Sequence, residues 1–123
     1  MPSDPNRRRR VAELVKRELA SLIQHELHDP RVHGITITDV EISPDLSSAK
    51  VYFTSLGGDQ AVKQSTAALN RAARFLRHHL MDRLVLRGVP QLRFMYDDSV
   101  EKGAALSGLI ERAVAEDGKP KAD

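Results

Sequence analysis

His25 and His28 stand three residues apart in HELHD, Asp97 adjoins Asp98, and Arg71, Arg74 and Arg77 recur at every third position, with Arg83 and Arg87 beyond them. Each group is of a type that does chemistry. Two histidines four apart on a helix, with a glutamate between them, would hold zinc for a hydrolase. Here the spacing is three and no second cluster supplies a third ligand, so the favoured reading is favourable charge near a helix C-terminus. Asp97-Asp98 falls between an apparent strand and an apparent helix. There a carboxylate pair would bind magnesium or work as an acid and a base, but it equally suits a helix N-terminus, where acids complement the dipole. His33, His78 and His79 add no ligand spacing, and Gly57-Gly58 reads as a turn. No P-loop, GxSxG or GxGxxG is present, and nothing assembles a nucleophile, a base and an oxyanion donor. No catalytic residue, metal or cofactor is expected.

The arginines are the stronger constellation. Residues three apart on a helix are neighbours, so Arg71, Arg74 and Arg77 are expected to form a ridge, with Asp82 the one acid close by. Like charges without carboxylate partners repel unless something else neutralises them. A phosphate backbone would do so, and the guanidinium fork suits phosphate. The competing possibility is pairing across the fold with acids of residues 18–62. Arg7, Arg8, Arg9 and Arg10 form a second basic patch at the start of a helix, where four positive charges oppose the dipole. The net charge is only +2. By blocks it is +4 over residues 1–17, −5 over 18–62, +6 over 63–93 and −3 over 94–123. Such segregation points to a polyanionic partner more than the total does. Aromatics are 4% of the chain, with no tryptophan, which favours recognition of RNA backbone and shape over stacking on an aromatic platform.

These groups need elements to position them. The length suits one domain. Cysteine is absent, so neither disulfide nor thiolate chemistry is available, which suits a reducing compartment. MPSDPNRRRR has no apolar segment behind its charges, and no apolar run approaches the roughly 18 residues that span a bilayer. A soluble cytoplasmic protein is expected, with no membrane partner. Residues 1–6 are expected to be disordered. The stripe Val11, Val15, Leu19, Leu22, Ile23 and Leu27, with Leu14, predicts a helix near 7–28, stopped by Pro30. Strands are predicted at Ile35–Ile42 and Ala49–Leu56 as an antiparallel pair. The apolar phase shifts inside the first, which calls for a bulge near Thr38–Asp39. A second helix is predicted over roughly 60–85, with a possible break. A third strand, Leu92–Tyr96, could join the sheet in parallel. A last helix would follow, capped at Asp98 or Ser99, with an apolar side through Leu109 and Val114. Residues 116–123 form a polar tail. The order α-β-β-α-β-α is an α+β two-layer domain over residues 7–115.

Two long stretches, ELHDPRVHGITITDVEISPDLSSAKVYFTSLG and LVLRGVPQLRFMYDDSVEKGAAL, carry a resemblance. Over residues 7–115 the chain resembles the ribosome-binding factor A family of bacterial small-subunit assembly factors. The resemblance implies a type II KH-like fold, a three-stranded sheet packed against helices in the order α-β-β-α-α-β, with a kink between the two central helices and a C-terminal helix. It implies a non-enzymatic factor that binds the free 30S subunit through 16S rRNA. It further implies support of late maturation including the 16S rRNA 5′ end, a functional link to a ribosome-associated GTPase, and growth in the cold; a monomer is expected. Such proteins carry an Ala-x-Gly kink where this chain has Ala72-Ala73-Arg74, so arginine stands in the place of glycine. If that position needed a positive φ, arginine would resist it by roughly 1 kcal/mol or more. Phe75, Leu76 and Leu80 are expected to bury, and Arg7 to Arg10, Arg71, Arg74, Arg77, Arg83 and Arg87 to face RNA. The alternatives are a general KH-like RNA-binding protein with another target, a protein-only adaptor insensitive to Arg74 and Arg77, and a small metal-dependent hydrolase built on Asp97, Asp98 and a histidine.

Overall fold

A computed structural model describes residues 5–84 and 88–99. The apolar stripe of the first segment becomes α1, Pro5–Glu26, which buries Val11, Val15, Leu19, Leu22 and Ile23. Pro5 and Asn6, expected to be disordered, belong to this helix, and proline is tolerated in its first turn because the missing N–H removes nothing the helix needs. The helix ends two residues before the expected 28. Asp29 then caps a 3₁₀ turn, Pro30–Val32, accepting the Arg31 N–H at 2.9 Å. Leu14, counted in the stripe, is 41% exposed.

Strand β1 is Ile35–Ile42 and β2 is Ser48–Ser55, antiparallel as expected. The pairing passes from Ile37↔Phe53 to Asp39↔Tyr52, leaving Thr38 as the extra residue of a bulge. An uninterrupted strand would send Ile37 and Val40 to opposite faces. With the bulge, Ile37, Val40 and Ile42 are all buried. The connecting turn closes with Ser43 N–H to Ser48 O at 2.9 Å, and Leu46 within it has a positive φ of 62°.

α2, Asp59–Arg71, and α3, Ala73–Arg83, replace the single predicted helix, with Ala72 between them. β3, Gln91–Tyr96, then pairs in parallel with β2, giving the sheet order β1-β2-β3. The helices cover one face. Between them and the sheet lie Leu19, Leu22, Val51, Phe53, Leu69, Leu76, Leu80 and Phe94, all buried. The other face presents Glu41, Lys50 and Arg93 to solvent, the alternation expected of a sheet packed on one side. This is the α-β-β-α-α-β order the resemblance implies. The predicted last helix and the polar tail lie outside the described residues.

Candidate nucleic-acid interface

The two basic blocks, some sixty residues apart in sequence, meet in space. Arg7, from the first turns of α1, and Arg77, from α3, line one cleft of about 540 Å³ together with Asp45 and Leu46 of the hairpin turn and with Val89 and Pro90 before β3. Arg77 is half-buried, and its Nε donates to the Val89 carbonyl at 2.9 Å. That bond orients the guanidinium and anchors the segment entering β3. Arg77 also lines a neighbouring groove of about 340 Å³ with Asn70, Arg74, Gln91 and Leu92, so it forms the wall between the two depressions. Arg8 is half-buried, and its Nε is enclosed with no acceptor among the described residues. Arg9 and Arg10 turn outward with Arg17 around the exposed Leu14.

The expected ridge of Arg71, Arg74 and Arg77 does not form as one exposed row. Ala72 separates the helices. Arg71 closes α2, and together with Arg31 it helps to hold Asp29 down. Arg74 is exposed, whereas Arg77 is tied to Val89. Arg83 leans back on α1, with Nη1 3.2 Å from Glu18 Oε2 and 3.4 Å from Ser21 Oγ. For Arg83, then, pairing across the fold is what occurs. Arg87 lies outside the described residues.

The junction needs no glycine. Ala72 has φ −86° and ψ 0°, a conformation open to any L-residue. Its N–H reaches the Ala68 carbonyl at 3.0 Å, and its carbonyl accepts the Leu76 N–H at 2.9 Å. Arg74 lies inside the first turn of α3. The expected penalty for arginine in the place of glycine therefore does not arise. Just before the break stands Asn70, a residue sequence reasoning missed. Its Oδ1 accepts the Phe94 N–H at 2.8 Å and its Nδ2 donates to the Phe94 carbonyl at 3.0 Å. The side-chain amide thus stands in for a neighbouring strand along β3, satisfying an edge that would otherwise be open. Asparagine near a helix end gives no sign of a partner 24 residues later.

Phe75 corrects another expectation. It is 44% exposed rather than buried, and its ring meets the His79 imidazole edge-on, 4.4 Å between centroids. A signal was present: the residues three, four and seven further along the helix are His78, His79 and Asp82, all polar, whereas Leu76 is followed at that spacing by Leu80.

The carboxylates sit at the opposite end of the sheet. Asp97 follows β3. Its Oδ2 accepts from Thr38 Oγ1 at 2.6 Å and its Oδ1 from the Ser99 N–H at 2.9 Å. The Ser99 side chain first, then the Thr38 hydroxyl and the Ser99 N–H, hold its carboxyl below the ordinary range. Asp97 therefore locks the β1 bulge across β2. Asp39, Glu41 and Asp98 lie around it with Tyr52 and Tyr96. Tyr52 donates to Glu41 at 3.3 Å, and burial followed by the charge of Glu41 pushes its phenol up. In HELHD, the His25 ring donates from Nδ1 to the Ser21 carbonyl at 2.9 Å, and Asp29 is gripped by Arg31 at 2.6 Å. No group of three or more metal-ligating side chains occurs among the described residues. Nor is any described helix long and apolar enough to cross a membrane.

Comparison with known proteins adds an independent line. Residues 7–110 match the profile of the family described as ribosome-binding factor A. A protein of that name from Thioalkalivibrio sulfidiphilus is 55% identical over 117 residues, covering 95% of this chain and 91% of the relative. One from Thiobacillus denitrificans is 53% identical over 123 residues, covering 100% and 99%. The crystal structure of ribosome-binding factor A from Thermus thermophilus superposes with a TM-score of 0.64 at 32% identity, covering 72% of this chain and 94% of that one. Thermus thermophilus coordinates fitted into the cryo-EM map of a 30S–RbfA complex give 0.58 at 34% identity, covering 71% and 91%.

Proposed function

The chain belongs to the ribosome-binding factor A family, and from that premise we propose that it binds free 30S ribosomal subunits through 16S rRNA and assists late small-subunit maturation, including processing of the 16S rRNA 5′ end. The observation that carries this reading is the convergence of Arg7 and Arg77 in one cleft, with Arg74 in the adjoining groove, while the acids Asp39, Glu41, Asp97 and Asp98 gather at the other end of the sheet. In that cleft the two arginines outnumber Asp45, whereas the acids at the other end would repel phosphate. The relative fitted into a 30S complex supports the same partner.

The mechanism is positional. Arginines neutralise phosphates, and the bound protein favours the rRNA conformation that fits its surface over others. No bond is made or broken by the protein. Residues 7–115 form the ribosome-binding domain, acting as a cytoplasmic monomer whose release is linked to a ribosome-associated GTPase and whose importance rises in the cold. Arg8, Arg9, Arg10 and Arg71 add weaker phosphate contacts, as does Arg87, and Arg83 does so where its bond to Glu18 opens.

Co-sedimentation with purified small subunits across a salt series tests this. Wild type is expected to pellet with the subunit and to weaken steeply with salt. Changing Arg7, Arg74 and Arg77 together to Ala should weaken binding and flatten the log–log salt slope by about 0.7–0.9 for each phosphate no longer neutralised. A folded triple variant that binds like wild type at every salt concentration would refute phosphate binding at this end of the domain.

A further inference from the structure

Phe75 stands in the first turn of α3 with nearly half of its surface in solvent. A single exposed apolar side chain is ordinary on any surface. The setting of this one is not. Its ring packs against the His79 imidazole at 4.4 Å and 63°, and His78 stands against His79 at 6.5 Å and 82°. Three rings therefore make a braced ledge on the outer face of α3. Arg74, next to Phe75 in the chain, and Arg71, four residues before it, are both exposed. The ion pairs among the described residues are Arg31–Asp29 and Arg83–Glu18, so Arg74 is in neither. Arg71 acts on Asp29 only as a secondary influence behind Arg31.

An aromatic face beside a guanidinium matches the two halves of a nucleotide. We propose that Phe75 stacks on an unpaired nucleobase, that His79 holds the ring in place for it, and that Arg74 takes the adjacent phosphate. This rests on the RNA-binding reading above and narrows its ligand: the segment lying on α3 is single-stranded. A duplex cannot satisfy the ledge, because its bases are stacked on one another and present only their edges. Base–aromatic stacking tolerates any base, since every base has a π-face; the ledge therefore selects for an unstacked nucleotide rather than for a sequence. Asp82 is exposed one turn beyond His79 on the same face, and it repels phosphate there. The strand accordingly leaves the ledge toward Arg74 and the groove that Arg74 shares with Arg77. An apolar protein side chain would also cover Phe75, but the charge around the ring favours a polyanion.

A fluorescence titration of the full chain tests the proposal. The probe is a single-stranded oligoribonucleotide of about twelve nucleotides, within the span such proteins cover, with one adenine replaced by 2-aminopurine; a duplex of the same sequence is the control. Wild type is expected to quench the single strand and not the duplex. Phe75→Ala should abolish the quench and weaken binding about five- to hundredfold, the effect of losing one stacked base, with the salt slope unchanged. Phe75→Tyr should retain both. Arg74→Ala should keep the quench and lower the slope by about 0.7. Phe75→Ala binding with wild-type affinity and quench overturns the ledge while leaving the arginine reading intact, and so does a wild type that binds without quenching. Indifference of the oligonucleotide to both Phe75→Ala and Arg74→Ala removes the ledge and its phosphate contact together, while the Arg7–Arg77 cleft stands or falls on the co-sedimentation series. Loss of affinity in Phe75→Ala for whole subunits, but not for the oligonucleotide, assigns the ring to a protein neighbour and also overturns the proposal.

Discussion

The Asp97 carboxylate receives the Thr38 hydroxyl on one oxygen and the Ser99 N–H on the other. Because both donors favour the charged form, the folded-state pKa lies below the unfolded one. A group depressed in this way stabilises the fold fully above the ordinary carboxylate pKa and loses that contribution as the pH falls through the folded value. Asp29 and Asp45 behave alike. Arg31 draws Asp29 to about 2, and Ser47 and Ser43 draw Asp45 to about 2. Urea denaturation is therefore expected to show stability falling as the pH drops from about 4 toward 2. Asp97→Ala should unfold about 1–2 kcal/mol more easily at neutral pH, the range for two lost hydrogen bonds at a partly exposed site, and should show a shallower acid fall. An acid profile parallel to that of wild type would mean that the Asp97 charge is not what holds Thr38. Nothing in the sequence separates this latch from a catalytic acid, because the partner that defines it is 59 residues away.

At the scale of elements, legibility depends on whether the signal is local. The phase shift between Ile37 and Val40 is written in the strand itself, so the bulge can be placed at Thr38–Asp39 from the sequence. The long helical connection makes a parallel β3 reasonable, and β3 is parallel. The position of the helix break is not written in the local residues, although the resemblance puts a kink at Ala72-Ala73-Arg74 and the break falls at Ala72. Ala72 adopts ordinary angles, and the Asn70–Phe94 hydrogen bonds that accompany the break are tertiary. The family resemblance marks Arg74 as a missing glycine, yet Arg74 lies within α3. Glycine there should be worse, since it adds unfolded-state freedom and lacks helix propensity. Arg74→Gly is expected to lower stability by about 0.5–1 kcal/mol relative to Arg74→Ala. Both should lose the same increment of salt-dependent RNA binding. A more stable Arg74→Gly, read by thermal or urea unfolding, would show that the junction is strained after all.

Across the whole molecule, the parallel register of β2 and β3 gives the charge pattern a direction. Gln91 pairs with Ser48 at the end where Arg7 and Arg77 share a cleft, and Tyr96 pairs with Phe53 at the end where Asp97 and Asp98 follow β3, with Asp39 and, further along β1, Glu41 lining the same depression. Four alternating blocks that nearly cancel in sum thus leave a cleft with two arginines and Asp45 toward one end and a cluster of four acids away from it. The net charge of +2 supplies little attraction, so orientation carries the electrostatic information: the basic end approaches a polyanion and the acidic end is held away. Long-range fields of this kind act mainly on association, and salt removes them within a Debye length of about 8–10 Å. Neutralising the far end with Asp39→Asn and Glu41→Gln should therefore speed association with small subunits about two- to threefold at low salt. The dissociation rate should stay unchanged, and the difference should vanish at high salt. Stopped-flow measurements would separate the two rates. A change in dissociation instead would place the acidic end in contact with the subunit, and the domain would then be gripped from both ends rather than steered by one.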